Sequence, residues 1–227
     1  MIFIPLINEI IDILHFGIYA KIPIILEGKT GEGKQTAIKY LADSLGYEII
    51  NIMISKNTKA DDLLGRLLIS KDKKNNKIKV DYIETKLLKA IKRSNNSGKS
   101  IIVIHNLNNA SNAVLDKLSS IFDKEQKNIL LQNGTIETKG KFNIIGIFNT
   151  QNKLVNREKL PNLLINSSLY YIVRKMTKNE ISQIIQQKFK KTSFHNDDKL
   201  FYDKFIKLHL IQRNNFIYKY IFILLKL

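Results

Sequence analysis

Apolar residues recur along the chain with two periods, one typical of amphipathic helices and one of buried strands. A first helix is expected to end near residues 17–21, and its apolar positions are Leu6, Ile10, Ile13, Leu14 and Ile18. Short continuous apolar runs predict buried strands at Ile22–Leu26, Glu48–Ile54, Ser100–Ile104, Phe142–Phe148 and Leu169–Val173. Helices are predicted between them at about Lys34–Leu45, Thr85–Ser94 and Val114–Phe122. This alternation predicts an α/β fold with a mainly parallel central sheet.

The polar segments between these elements give weaker signals. Asp61–Ile69 favours a short helix or turn, and Ser70–Lys79 a charged loop or insertion. Asn95–Gly98 predicts a turn, and Ile129–Glu137 predicts a hairpin around Asn133-Gly134. From Lys178 onward the chain is mostly helical and polar until an apolar C-terminal run.

The amino-acid composition limits the kinds of binding site and cellular location that can be expected. The chain has 227 residues, of which 44% are hydrophobic and 25% charged, as in ordinary globular proteins. It has no cysteine, and its four histidines are scattered, so a metal held by side chains alone is not expected. The N-terminus lacks the basic leader of a signal peptide, and the apolar run Phe216–Leu227 is too short to span a membrane. We expect an intracellular, soluble protein, cytoplasmic or nuclear, with no membrane partner.

The formal net charge of +17 invites comparison with nucleic-acid-binding proteins. Only five of the 37 basic residues are arginines, and the lysines are spread along a chain that is also rich in Asn and Ile. Arginine clusters that give bidentate phosphate contacts are missing from the sequence. A dispersed lysine surface is therefore expected, and specific nucleic-acid binding is not.

A glycine-rich segment follows the first apolar strand. Gly28-Lys29-Thr30-Gly31-Glu32-Gly33-Lys34 matches the first seven positions of the phosphate-binding pattern GxxxxGK. Such a loop turns its backbone N–H groups toward a phosphate, and the helix that begins near Lys34 adds its positive end. We therefore predict a nucleotide-binding site at 28–36.

The residue after Lys34 departs from the pattern. A Ser or Thr there normally holds Mg²⁺ through its hydroxyl, but this chain has Gln35, with Thr36 one residue later. One step along a helix turns a side chain by about 100°, so Thr36 does not substitute for the missing hydroxyl.

Four further segments appear in a characteristic order. They are Pro23–Gly28, Thr58–Gly65 with its Asp-Leu-Leu-Gly, Val103–Ala110, and Phe142–Asn149, a strand that begins with Phe and ends in Asn. Together with Val114–Leu118 and Leu130–Gly134, this order resembles the dynein-related, midasin-like branch of the AAA+ ATPases. The similarity covers roughly residues 5 to 185. It implies a three-layer P-loop core at 1–180, followed at 181–227 by a partial helical lid or a truncated C-terminal segment.

The resemblance assigns expected roles to single residues. Lys34 matches the family's phosphate-binding lysine, and Asn149 matches the sensor asparagine. His105 and Asn106 stand where the family has its metal-holding Asp and catalytic Glu. Ile165 and Ser167, within Leu160–Ser168, occupy positions where the family usually has arginines. Arg157 and Arg174 are close in sequence but out of register.

These departures predict binding without efficient turnover. Both protein groups that hold Mg²⁺ are replaced, and an Asn cannot take a proton as a carboxylate does. The expected function is an ATP- or ADP-binding AAA+ module in a ring or multi-module assembly, with weak or absent hydrolysis and Mg²⁺ held weakly. Two alternatives remain open: a purely structural interaction module, and a basic RNA-associated ribosome-assembly factor.

Overall fold

A computed structural model of the chain describes residues 4–71, 78–123, 125, 128–131, 133–134, 136–138, 142–150 and 160–191. The described residues form two compact units. One consists of Ile7–Lys175 and contains the sheet, and the other contains residues 4–6 and 176–191. Arg157, Gln132, Arg213 and the apolar run Phe216–Leu227 lie outside the described residues.

Helices and strands alternate along the chain. The helices are α1 (Pro5–Ala20), α2 (Lys34–Leu45), α3 (Lys86–Ser97), α4 (Asn112–Phe122), α5 (Asn162–Asn166) and α6 (Lys178–Lys191), with 3₁₀ turns at Ala60–Asp62 and Leu107–Asn109. The strands are β1 (Ile24–Gly28), β2 (Glu48–Met53), β3 (Gly65–Lys71), β4 (Ile78–Glu84), β5 (Ser100–His105), β6 (Asn128–Leu130), β7 (Ile136–Thr138), β8 (Asn143–Asn149) and β9 (Leu169–Ile172).

Five strands form the central sheet in the order β2-β5-β8-β1-β9, and all neighbours in it are parallel. Two antiparallel hairpins, β3–β4 and β6–β7, lie outside this sheet. Parallel pairing aligns the carboxyl ends of the strands along one edge of the sheet. The predicted α/β fold with a mainly parallel sheet is confirmed.

The central strands are buried on both faces. Ile25, Ile102 and Ile144 belong to one buried cluster that also includes the apolar residues of α3 and α4. Their strand neighbours, such as Ile24 and Ile101, are equally buried but lie outside that cluster. Because successive side chains in a strand point to opposite faces, a single strand supplies both layers of core. Helices on both sides of the sheet complete the three layers.

Gly146, in the middle of β8, allows this sheet and its helices to approach closely. A Cβ built at this position would lie 2.6 Å from Leu107 Cδ1, 3.3 Å from Phe122 Cζ and 3.4 Å from Ile25 Cγ1. This close packing lies on β8, three residues before Asn149.

One sequence prediction is wrong in a specific way. The segment Asp61–Ile69 was expected to be a short helix or turn, but the 3₁₀ turn ends at Asp62, and β3 begins at Gly65. Likewise, the outer residues of Ser70–Lys79, expected in a loop, belong to β3 and β4. Cross-strand pairing of Leu67 with Tyr82 and of Ile69 with Val80 decides the structure here. Propensity along one strand does not reveal its pairing partner.

The C-terminal part of α3 is a second correction. A turn was expected at Asn95–Gly98, but the helix continues to Ser97 and ends at Gly98, whose φ is 64° and whose N–H bonds to the carbonyl of Ser94. The chain therefore turns at the glycine alone, in the left-handed conformation common at helix ends. Within the described residues, the other predicted helices and strands are found with shifts of a few residues, and α5 is an element that the sequence pattern did not predict. The part of the predicted helical segment beyond residue 191 lies outside the described residues.

In the second unit, α6 begins with a reciprocal cap. The Thr177 hydroxyl accepts from the N–H of Glu180 at 3.2 Å, and a Glu180 carboxylate oxygen accepts from the N–H of Thr177 at 2.7 Å. This is the capping-box arrangement that satisfies two helix N–H groups at once. The other Glu180 oxygen accepts from the N–H of Leu6 at 2.8 Å.

Among the described residues, no helix is both long and apolar enough to cross a membrane.

We predict that Gly146→Ala destabilises the protein by about 1–3 kcal/mol, because the added methyl group overpacks the space beside Leu107. The measurement is the free energy of unfolding from urea titration. Leu107→Val removes the nearest atom, so the double variant should recover part of the loss. An unchanged free energy in the single variant would contradict the packing described here.

Candidate functional site

The predicted phosphate loop connects the centre of the sheet to α2. It leaves β1 at Gly28 and enters the helix at Lys34. Gly31 and Gly33 have φ values of 92° and 80°, a region that residues with a side chain rarely adopt. Gly33 is also the N-cap of α2. The glycines therefore permit the sharp turn that brings the first turn of α2 beside the end of β1.

Lys34 is folded back against this loop. Its Nζ donates hydrogen bonds to the carbonyl oxygens of Gly28, at 2.8 Å, and Lys29, at 2.7 Å, and the side chain is only 5% exposed. Burial lowers the pKa of Lys34 from 10.5 to about 8, although the negative charges of Glu32 and Glu27 act in the opposite direction. The loop thus holds an ammonium group whose charge is sensitive to its surroundings.

The two residues at the expected metal positions contact each other. Gln35 Nε2 lies 3.2 Å from His105 Nδ1, and His105 Nε2 lies 2.7 Å from Asn51 Oδ1. We call this hydrogen-bonded set of Asn51, His105 and Gln35 the polar chain. It links the first turn of α2 to the end of β5 and to β2.

The fold explains why these three side chains meet. In the parallel pair of β2 and β5, Asn51 is opposite Val103 and Met53 is opposite His105. Asn51 and His105 therefore project from the same face on neighbouring strands, one step apart on the diagonal.

The polar chain favours a neutral imidazole. If Nδ1 accepts from the Gln35 amide, then Nε2 carries the hydrogen and donates to Asn51. A doubly protonated ring would have no lone pair for the Gln35 N–H. Consistently, burial lowers the pKa of His105 below its ordinary value of 6.5.

A second polar group lies at the ends of β5 and β8. Asn149 Nδ2 donates to Asn106 Oδ1 at 3.1 Å, and the backbone N–H of Asn149 donates to Asn108 Oδ1 at 3.2 Å. Asn106 has a φ of 60°, a left-handed conformation that Asn tolerates better than most residues. The predicted sensor residue and the residue at the catalytic-carboxylate position are thus direct partners, and both are amides.

The arginines that the structure describes have other partners. Arg174 binds Glu9 of α1, with Nη2 at 2.8 Å from Oε1 and Nε at 3.1 Å from Oε2. Arg93 pairs with Glu48 at 3.2 Å, and Arg66 lies on β3. Ile165, at a position where the resemblance suggests arginine, is packed against the core.

The remaining predicted site residues line the loop or face away from it. Thr30, Gln35 and Thr36 are exposed, whereas Glu32 is buried. Sequence reasoning missed Asn51 and Asn108, which orient His105 and Asn149. The alternation of β2 contained a signal for Asn51, since a polar residue stands there between Ile50 and Ile52.

Comparison of the sequence with known protein families identifies the family of this chain. The sequence model of the AAA domain (dynein-related subfamily) matches residues 23–165, more than half of the chain. The chain belongs to this family. The resemblance found in the motif order is confirmed. Members of this family generally bind ATP or ADP with Mg²⁺, and AAA+ proteins typically assemble into rings or multi-module complexes.

Individual relatives cover different parts of the chain. Midasin of Giardia intestinalis is 28% identical over 170 residues, which are 74% of this chain and 3% of that protein. Protein CbbQ of Hydrogenophilus thermoluteolus is 38% identical over 52 residues, which are 23% of this chain and 20% of CbbQ. The chain thus spans a small part of each of these two relatives.

A solved structure shares the fold. A candidate ATPase from Cytophaga hutchinsonii superimposes with a TM-score of 0.54 and 15% sequence identity, over 84% of this chain and 57% of that one. At this identity the similarity concerns the fold alone.

The residues at the family's metal positions do not fit Mg²⁺. This ion prefers an octahedron of oxygen ligands, but position 105 presents imidazole nitrogens, and Gln35 directs its amide nitrogen toward them. Asn106, the neighbouring amide, already accepts from Asn149. Among the residues that the structure describes, no group of three or more His, Cys, Asp or Glu side chains could hold a metal.

The lowered pKa of His105 predicts an acid-sensitive contribution to stability. Between pH 6.5 and the lower pKa of the folded protein, the unfolded chain holds a proton that the folded chain does not. This contribution is complete above pH 6.5 and is lost as the pH falls through the folded-state pKa. The free energy of unfolding should therefore fall more between about pH 7.5 and about pH 5.5 in the unmodified protein than in His105→Asn.

Urea titrations of both proteins at both pH values provide the measurement. The other ionisable groups contribute similarly to both, so the difference isolates His105. Equal losses in the two proteins would mean that this imidazole is not held neutral by its surroundings.

Proposed function

We propose that this chain is an ATP- or ADP-binding AAA module that contributes to a larger ring or multi-module assembly and hydrolyses ATP weakly or not at all. The observation that carries the proposal is the position of Lys34. It lies buried at the first turn of α2, beside a loop in which Gly31 and Gly33 have left-handed backbone angles.

Three features of the loop favour a phosphate. The 12-residue helix α2 has Gly33 as its N-cap, which makes no side-chain hydrogen bond, and its N-terminus carries a partial positive charge. The turn formed by Gly31 and Gly33 keeps bulky atoms away from that end. The ammonium group of Lys34 is pre-positioned there, and contact with a polyanion favours its charged form.

The same site lacks the groups that accelerate phosphoryl transfer. The amide of Asn106 cannot accept a proton from water near neutral pH. Arg174, the described arginine nearest in sequence to the expected finger, is bound to Glu9. An arginine finger contributes about 10³ to 10⁵ in rate where one is used. With the metal positions also changed, the site supports binding better than turnover.

The assembly part of the proposal rests on the family and on coverage. The matched region is about 3% of the Giardia midasin, so in that relative a region of this size is a small part of a very long chain. By analogy, we propose that the present module works beside other AAA modules, on the same chain or on partner chains.

A structural interaction module is the second candidate, and one observation favours it. Both Nζ hydrogen bonds of Lys34 are made to carbonyls of its own loop. A phosphate must compete with these acceptors, whereas a scaffold that binds no nucleotide would keep them permanently.

Nucleotide binding should depend on Lys34 and on pH. We expect Lys34→Ala to weaken ATP binding by about 10- to 100-fold, since a hydrogen bond to a charged group is lost. Because the pKa of Lys34 is about 8 without ligand, affinity should fall about tenfold from pH 7 to pH 9. Isothermal titration calorimetry measures both effects.

Lys34→Arg is the matched control for the pH effect, because arginine stays charged throughout this range. Its affinity, whatever the absolute value, should be independent of pH. If neither the unmodified protein nor the variants bind ATP, the structural interaction module is favoured and the present proposal fails.

Hydrolysis is tested separately by phosphate release. The unmodified protein, at saturating ATP with Mg²⁺, should release phosphate no faster than Lys34→Ala, because Asn106 supplies no general base. Turnover well above that variant would show that the amide-lined site is an active hydrolase.

A further inference from the structure

We propose that the polar chain of Asn51, His105 and Gln35 takes the place of Mg²⁺ in this site, so that the protein binds the metal-free nucleotide, with the Gln35 amide donating to a phosphate oxygen. The inference rests on the proposed nucleotide binding and specifies the form of nucleotide that the site accepts.

The side chains at the two changed positions are complementary to each other. A glutamine replaces the hydroxyl residue and a histidine replaces the carboxylate, and their nitrogens lie 3.2 Å apart. Either change alone would leave a polar side chain at the helix start or strand end without this partner. Together they form one hydrogen-bonded unit, which Asn51 extends to β2 at 2.7 Å.

Electrostatic repulsion between position 105 and the phosphates also depends on which residue stands there. A carboxylate at position 105 is favourable beside phosphates only when a divalent cation lies between them. Without the cation, it would repel the nucleotide across a partly buried site, where charge interactions are stronger than in water. A neutral imidazole removes that repulsion, and burial lowers the pKa of His105 in the direction that keeps it neutral at physiological pH.

The directions of the hydrogen bonds in the polar chain determine which group of Gln35 can donate to a ligand. Asn51 accepts from His105 Nε2, so Nδ1 is left as an acceptor and receives one hydrogen of the Gln35 amide. The second hydrogen of Gln35 Nε2 has no acceptor among the described residues, and the side chain is exposed. Gln35 directly follows Lys34 in the first turn of α2. The polar chain thus fixes a donor beside the lysine, where the family places a metal-bound hydroxyl.

If the polar chain had a structural role only, a different result would be expected. Substitutions in it would weaken the contact between α2, β5 and β2 but leave the nucleotide affinity unchanged. The test therefore measures ATP affinity with and without Mg²⁺. It uses variants that either remove the polar chain or restore oxygen ligands at positions 35 and 105.

The experiment is a titration of the full chain with ATP, in Mg²⁺ and in EDTA, followed by calorimetry. For the unmodified protein, we expect affinities within about twofold of each other in the two conditions. Gln35→Ala should weaken binding by about tenfold or more in EDTA, because a hydrogen bond to a charged group is lost. Ser44→Ala, in the last turn of the same helix, is the control and should leave both affinities unchanged.

The reverting variants show whether the two positions act together. His105→Asp alone should weaken binding in EDTA through repulsion. The double variant Gln35→Thr/His105→Asp restores the oxygen ligands and should bind ATP at least about tenfold more tightly in Mg²⁺ than in EDTA. Circular dichroism confirms that each variant is folded before its affinity is interpreted.

Three results would overturn the inference. One is binding by the unmodified protein that is about tenfold or more tighter with Mg²⁺. Another is metal-independent binding that Gln35→Ala does not weaken, which would make the polar chain structural only. The third is a double variant that remains indifferent to Mg²⁺. Absence of ATP binding in both conditions would instead refute the proposed nucleotide binding, and this inference with it.

A nitrogen NMR spectrum of the imidazole gives a readout that does not depend on affinity. His105 should appear as a neutral ring with the hydrogen on Nε2, both alone and with metal-free ATP. A ring with the hydrogen on Nδ1 in the protein alone would contradict the donor direction on which the Gln35 contact depends.

Discussion

The parallel alignment of β1, β5 and β8 is the constraint on which the candidate site depends. Their carboxyl ends lie at one edge of the sheet, where Gly28 pairs with Asn149 in register. Two backbone bonds fix this edge, from the N–H of Thr150 to the carbonyl of Gly28 at 3.1 Å, and from the N–H of Ile54 to that of His105 at 3.1 Å. In parallel α/β sheets such an edge is where ligands bind, so any residue placed after these strands becomes part of one site.

This geometry explains how several substitutions can act as a set. Gln35 is distant in sequence from the adjacent residues His105 and Asn106, yet each of the three lies at the same edge and bonds to another side chain there. The partners are neutral: an imidazole held without charge, and amides that donate and accept in pairs. A site of this kind keeps the fold of a phosphate-binding edge while its carboxylates are absent from positions 105 and 106.

The sequence predicts the sheet well because the central strands are buried on both faces and read as continuous apolar runs. It predicts the turn at Gly28–Lys34 because this spacing of glycines before a lysine is typical of phosphate-binding loops. It does not predict β3 and β4, since Leu67 and Ile69 are placed by their pairing with Tyr82 and Val80 rather than by local preference. The polar chain and the bond from Arg174 to Glu9 are not predicted either, because they join residues that are 54, 70 and 165 positions apart in the sequence.

The burial of the Lys34 ammonium group has an energetic cost that bears on the role of the loop. Lowering its pKa from 10.5 to about 8 corresponds to a cost of roughly 3 kcal/mol near neutral pH, where the ammonium form is held against burial. An apolar residue such as Met at this position would avoid that cost. In a purely structural role, only the hydrogen bonds to Gly28 and Lys29 would offset this cost, and the charge would still oppose the dipole of the helix that begins there. A bound polyanion offsets both penalties, so the energetics of Lys34 favour a site that functions when phosphate is bound.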